Sequence, residues 1–208
     1  MKTQEVKGKG EKKTQVEEKS FMEESKKLFL RRPPRFMDTI SRWFGSPKKL
    51  VQPYVKKDQV ATDLGCGWGA YTFAMADLVG AEGKVYAVDL GDDCIRAIQK
   101  KAEKQGYRNI EAHASSASDL GFIKDRSVDF VLANGLLCSM VRNRDEAVKE
   151  MKRILKPSGR AYLSLGMPPP LGLVDQKEWE RIIQGFKLES GGNFQELWAL
   201  VSLKQGAA

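Results

Sequence analysis

A strand-like run, Gln-Val-Ala-Thr at 59–62, leads straight into Asp63-Leu-Gly-Cys-Gly-Trp-Gly69, and a helical pattern starts at Ala70. Strand, tight turn and helix together open a βαβ unit, which constrains the fold more than any other stretch of the chain. Three glycines at alternate positions let backbone or ligand approach where a Cβ would collide. In open α/β sheets a turn of this kind sits at the carboxyl ends of the strands, where nucleotides bind.

The same alternation continues downstream. Strands are predicted at 59–63, 84–89, 110–114, 128–133 and 160–165, and helices at 70–78, 93–105, 146–155 and 176–184. Lys156-Pro-Ser-Gly159 reads as a turn closing the third of these helices. Segments 186–189 and 196–203 read as a closing antiparallel pair across Ser190-Gly-Gly-Asn193. Strands separated by helices imply a mostly parallel sheet. The predicted class is therefore α/β: a Rossmann-like, doubly wound, seven-stranded sheet with an antiparallel hairpin strand at its C-terminal end.

The 208 residues suit one domain with a small appendage, and the basicity is confined to the appendage. Residues 1–57 hold 16 Lys and Arg against 7 Asp and Glu, net +9, leaving 19 against 20, net −1, in 58–208. Residues 1–19 carry almost nothing apolar and cannot offset the entropy of ordering, so a disordered basic tail is expected there. A helical segment is expected over 20–56, interrupted by Pro33-Pro34 and restarted at Ser46-Pro47. The main domain is expected over 57–208. No apolar run approaches the roughly 18 residues of a membrane span, and the start of the sequence has no apolar signal region. Cys66, Cys94 and Cys138 are odd in number and widely spaced, which suits a reduced cytoplasmic interior. They lack metal-ligand spacing, and His113 is the single histidine, so no metal site is expected.

Gly65-x-Gly67-x-Gly69 is not the Gly-x-Gly-x-x-Gly spacing that seats a pyrophosphate on a helix N-terminus. Asp63, at the strand end, would repel a pyrophosphate but hold an ammonium group, directly or through water. Asp89 ends the second strand, where a carboxylate accepts both hydroxyls of a ribose. Asp92 and Asp93 follow and suit the dipole of the next helix, which leaves Asp89 for a ligand. Leu90 is placed to pack beneath an adenine ring.

Four motifs fall in order. They are Asp63-Leu-Gly-Cys-Gly-Trp-Gly69, Val85-Tyr-Ala-Val-Asp89, Asp129-Phe-Val-Leu-Ala-Asn134 and Leu155-Lys-Pro-Ser-Gly-Arg-Ala-Tyr-Leu163. Over 57–203 the chain resembles the class I S-adenosylmethionine-dependent methyltransferases, most closely the small-molecule group that includes the ubiquinone/menaquinone-biosynthesis type (methyltransferase type 11). The resemblance implies S-adenosyl-L-methionine as cofactor. It places the methionine end on Asp63, Gly65, Cys66 and Gly67, the ribose on Asp89 beside Leu90, and the sulfonium side of the pocket at Asn134. Where the family often carries an acid after strand three, this chain has Ser116, and the Ala117 N–H is the candidate partner for an adenine ring nitrogen. Asp119 is the alternative. After strand four the family's frequent histidine or aromatic pair is replaced by Leu136-Leu137-Cys138.

A sulfonium methyl is already activated, so the enzyme's tasks are alignment and exclusion of water, and no catalytic residue is assigned. Phe36, Met37, Ile40, Trp43, Phe44, Leu136, Leu137 and Met167-Pro-Pro-Pro-Leu171 are the candidate acceptor lining. That lining suits a small apolar or amphipathic molecule. The alternatives are an RNA methyltransferase using the basic N-terminal arm, a binding protein that keeps the cofactor fold without catalysis, and, more distantly, a nicotinamide enzyme. The nucleobase-amine signature Asn-Pro-Pro-Tyr is absent from the sequence. The oligomeric state has no sequence signal.

Overall fold

The computed structural model describes residues 46–140, 143–165, 176–192 and 198–204. The chain divides into two units, Met1–Gly45 and Ser46–Ala208, and the described residues all belong to the second. The expectations for the basic tail, for 20–45 and for the proline-rich 167–171 lie outside the described residues. Helix α1 (Pro47–Val51) has proline in its first turn, and Val51 and Val55 are buried with Met75, Val79 and Phe130 in the core.

Strand β1 (Val60–Leu64) is followed by α2 (Ala70–Val79), β2 (Lys84–Asp89), α3 (Asp92–Gln105) and β3 (Ile110–Ala114). Then come β4 (Val128–Asn134), α4 (Arg144–Ile154), β5 (Leu155–Ser164), α5 (Gln176–Gln184), β6 (Lys187–Gly192) and β7 (Trp198–Ser202). They form one seven-stranded sheet in the order β3-β2-β1-β4-β5-β7-β6. The first five strands pair in parallel, and β7 runs antiparallel to β5 and β6. The order reverses between β1 and β4, the crevice where such sheets bind ligands.

Alternation along the strands sends side chains to two separate cores. Ala61, Val85, Phe130, Leu132 and Tyr162 pack on α1 and α2, and Ala87 packs on Ile95, Ile98 and Ala102 of α3. On the other face Leu64, Val88, Val131, Ala133 and Leu163 meet Met151 and Ile154 of α4 and Trp179 and Ile182 of α5.

Two details differ from the sequence expectation. The predicted turn at 156–159 is part of β5, which shifts register against β4 between Val128 and Phe130. A Cβ on Gly159 would lie 2.9 Å from the Val128 carbonyl oxygen, so this bulge needs glycine. The closing hairpin is also displaced, because β6 runs on through Ser190, Gly191 and Gly192. A Cβ on Gly191 would lie 2.9 Å from the Trp198 carbonyl oxygen.

Candidate donor-binding site

The glycine turn joins β1 to α2, with positive φ at Gly65 (75°), Gly67 (49°) and Gly69 (81°). Backbone N–H groups fasten it to β2: Gly65 N donates to Val88 O at 2.8 Å and Cys66 N to the same oxygen at 3.1 Å. Gly67 N donates to Asp89 Oδ2 at 2.9 Å, and Gly91 N to Asp89 Oδ1 at 2.8 Å. The acid at the end of β2 therefore fixes both the glycine turn and the entry to α3. Asp89, left for a ligand in the sequence reading, thus also holds two backbone N–H groups within the fold. Each oxygen takes one N–H and keeps capacity for another donor, since a carboxylate offers about four acceptor positions.

The three glycines do different work. A Cβ on Gly69 would lie 2.9 Å from Ile98 Cγ1 and 3.1 Å from Phe73 Cε2, so Gly69 allows α2 and α3 to pack. A Cβ on Gly65 would meet Leu136 Cδ1 at 3.1 Å. A Cβ on Gly67 would meet nothing within 4 Å among the described residues. Gly69→Ala is accordingly expected to destabilise the fold by about 2–4 kcal/mol, combining left-handed strain with overpacking. Gly67→Ala carries the strain alone, about 1–2 kcal/mol, and stays folded. Denaturant titration of the two variants distinguishes them, and equal losses would contradict the assignment.

Asp63 is 2% exposed, and Thr72 Oγ1 donates to its Oδ2 at 2.6 Å. Burial, with the nearby Asp89 charge, raises its pKa from the ordinary 3.8 to about 7 against the lowering effect of Thr72. Thr72 was not singled out from the sequence; a hydroxyl in the first turn after a glycine turn, with an acid before the turn, was the available signal. Burial pushes the Cys66 thiol well above its ordinary range and Cys94 up to about 11, so neither is a thiolate nucleophile.

Asn134 ends β4, donates from Nδ2 to the Tyr71 hydroxyl oxygen at 3.1 Å and accepts from Ser164 Oγ. Its amide is thereby held between α2 and β5. Leu90 is 49% exposed beside Asp89. Ser115 N donates to Asp89 O at 3.0 Å, which draws the segment after β3 towards the same edge. Within it Ser116 Oγ pairs with Ser118 Oγ at 2.7 Å, and the Ala117 side chain is buried in the core.

One expectation about the acceptor lining resolves differently. Leu137 is fully buried in the core and does not line a pocket, whereas Leu136 packs beside Gly65. His113 bonds Glu111 at 2.8 Å and stacks on Phe122 with centroids 3.8 Å apart, a structural role. Tyr162 stacks on Trp198 and lies tilted against Tyr54. Phe36, Met37, Ile40, Trp43 and Phe44 lie outside the described residues. Among the described residues no cluster of His, Cys, Asp and Glu is arranged to hold a metal ion, and no helix is long and apolar enough to cross a membrane.

Residues 55–182 match the model of a family described as a methyltransferase domain. The chain belongs to that methyltransferase-domain family. Among curated proteins it is 34% identical over 105 residues to the demethylmenaquinone methyltransferase of Geobacillus stearothermophilus, covering 50% of this chain and 44% of the relative. It is 31% identical over 132 residues to the demethylmenaquinone methyltransferase of Bacillus pumilus, covering 63% and 55%. The chain thus spans about half the length of the curated relatives it matches. A solved structure of a SAM-dependent methyltransferase from Aquifex aeolicus superposes with a TM-score of 0.64 at 22% identity, over 74% of this chain and 89% of that one. At that identity the likeness shows the fold.

Proposed function

We propose that this protein transfers the methyl group of S-adenosylmethionine to a small, apolar or amphipathic molecule. The observation that carries the reading is the Gly67 N–H to Asp89 carboxylate bond at 2.9 Å, which ties the glycine turn, beside the β1–β4 switch point, to the strand-end acid proposed to hold the ribose. The open space beside Gly67 is room a Cβ would fill, and it fits a ligand that approaches the backbone closely. Asp63 and the 65–67 backbone would hold the methionine end, Asp89 and Leu90 the ribose and adenine, Ser116 and Ala117 the adenine edge, and Asn134 the sulfonium side.

The bound cofactor supplies an activated methyl group for in-line displacement. The chain's own residues orient it and keep water out. Asn134, held by Tyr71 and Ser164, presents a fixed amide next to the turn. A stabilised carbanion, amine or thiolate acceptor needs little general-base help. The demethylmenaquinone methyltransferases support a small-molecule acceptor, and the RNA and non-catalytic alternatives gain nothing from those relatives. A cytoplasmic location belongs to the same reading, supported by the three unpaired cysteines. The test is methyl transfer from labelled S-adenosylmethionine to a panel of hydroxyquinones, phenols, amines and thiols, with RNA as a further arm. Label in a small molecule is expected; label in RNA alone would reject the acceptor class.

A further inference from the structure

Between β3 and β4 the chain crosses the sheet edge through residues 115–127 without a helix or strand. An arginine on the far side of this crossing spends all five of its N–H donors. Arg153 Nε donates to Glu150 Oε1 at 2.8 Å and Nη2 to Glu150 Oε2 at 2.8 Å. Nη2 also donates to Leu120 O at 2.8 Å, and Nη1 donates to Ile123 O at 2.9 Å and to the Asp125 carboxylate. Glu150 in turn accepts the Leu120 N–H at 3.0 Å. Leu120 is therefore held at both its N–H and its carbonyl by one ion pair on α4, and its side chain and that of Ile123 are fully buried.

The clamp continues towards the donor site. Asp119 N donates to Ser116 O at 2.9 Å, and Ser115 Oγ to Asp119 O at 2.9 Å, which closes a tight turn directly before Leu120. Ser115 N is bonded to the backbone of Asp89. Ser116 and Ala117 thus lie between two fixed points, the end of β2 and the Leu120 peptide. A guanidinium suits this task because its donors are rigid and planar, whereas a lysine offers a compact charge without the fork.

We propose that Arg153, oriented by Glu150, is a positioning residue for the adenine side of the donor site, acting through the Leu120 peptide on Ser116 and Ala117. The inference rests on the donor reading above. It requires no contact between Arg153 and the donor, and it assigns Arg153 to ground-state binding, with no part in the chemical step.

The test compares the full chain with Arg153→Lys and Glu150→Gln, using titration with S-adenosylmethionine, steady-state kinetics and thermal unfolding. Both variants are expected to bind the donor roughly tenfold more weakly, the scale of one well-placed hydrogen bond. The kcat at saturating donor is expected to stay within about twofold, because uniform binding is lost. A lowered melting temperature with unchanged donor affinity would overturn the inference and leave Arg153 a structural residue. So would a kcat that falls as far as the donor KM rises. Failure of the parent chain itself to bind S-adenosylmethionine would overturn the donor reading and this inference with it. Parent binding with unaffected variants would overturn this inference alone.

Discussion

At pH 8 the Asp63→Asn variant is expected to be more stable than the parent chain while binding the donor less well. The Asp63 carboxyl is buried and titrates near 7 in the folded state, against 3.8 ordinarily. Below about pH 3.8 the residue is protonated in folded and unfolded chains alike and contributes no pH dependence. Between 3.8 and 7 the unfolded chain ionises first, so stability falls as the pH rises, and above 7 the loss is constant. Its size is on the order of 4 kcal/mol. Asparagine removes that loss and still offers an oxygen to Thr72 Oγ1. The stability gap between variant and parent should therefore open from pH 4 to pH 7 and then level off. Denaturant melts across that range measure it. A variant less stable than the parent at pH 8 would show that Asp63 is stabilised as an anion. The retained charge makes sense as a site for the donor's ammonium, which would pull the carboxyl back to its ionised form and release a proton on binding near neutral pH.

Replacement of Asp89 by alanine is expected to weaken donor binding by about 1.5–3 kcal/mol, the scale of a charge-assisted hydrogen bond left unmade. The structure adds a reason for the upper part of that range. The same carboxylate holds the Gly67 and Gly91 N–H groups, so alanine releases the turn as well as the proposed ribose contact. Asp89→Asn keeps one acceptor oxygen and should fall between parent and alanine. Calorimetric titration of the three proteins with S-adenosylhomocysteine tests this. Equal affinities would mean that the ribose lies elsewhere.

The sheet and its carboxyl edge were legible in the sequence because they are written in short-range patterns. Strand runs, helical periods and the spacing of Gly65, Gly67 and Gly69 survive without knowledge of distant contacts. Asp89 was legible as a strand-end acid, though its two backbone partners were not. What the sequence hid depends on long-range packing. Nothing local marks Asp63 as 2% exposed, or separates the buried Leu137 from its neighbour Leu136. The Lys156–Gly159 stretch has turn composition and loops out between the Val128–Leu155 and Phe130–Arg160 pairs, so that β5 runs on across it, which local composition does not show. The Arg153 clamp links segments about 30 positions apart and leaves no periodic trace. Val51 and Val55 show their core role only once they meet α2 and the sheet.

The glycine turn, Asp63 and Asp89 together are the proposed donor site. Calorimetric titration of the full chain with S-adenosylmethionine near pH 7, in buffers of different ionisation enthalpy, tests it most directly. Saturable binding is expected, with a heat that depends on the buffer because Asp63 gives up its proton. Absence of binding by S-adenosylmethionine, or binding of a nicotinamide dinucleotide in its place, would contradict it.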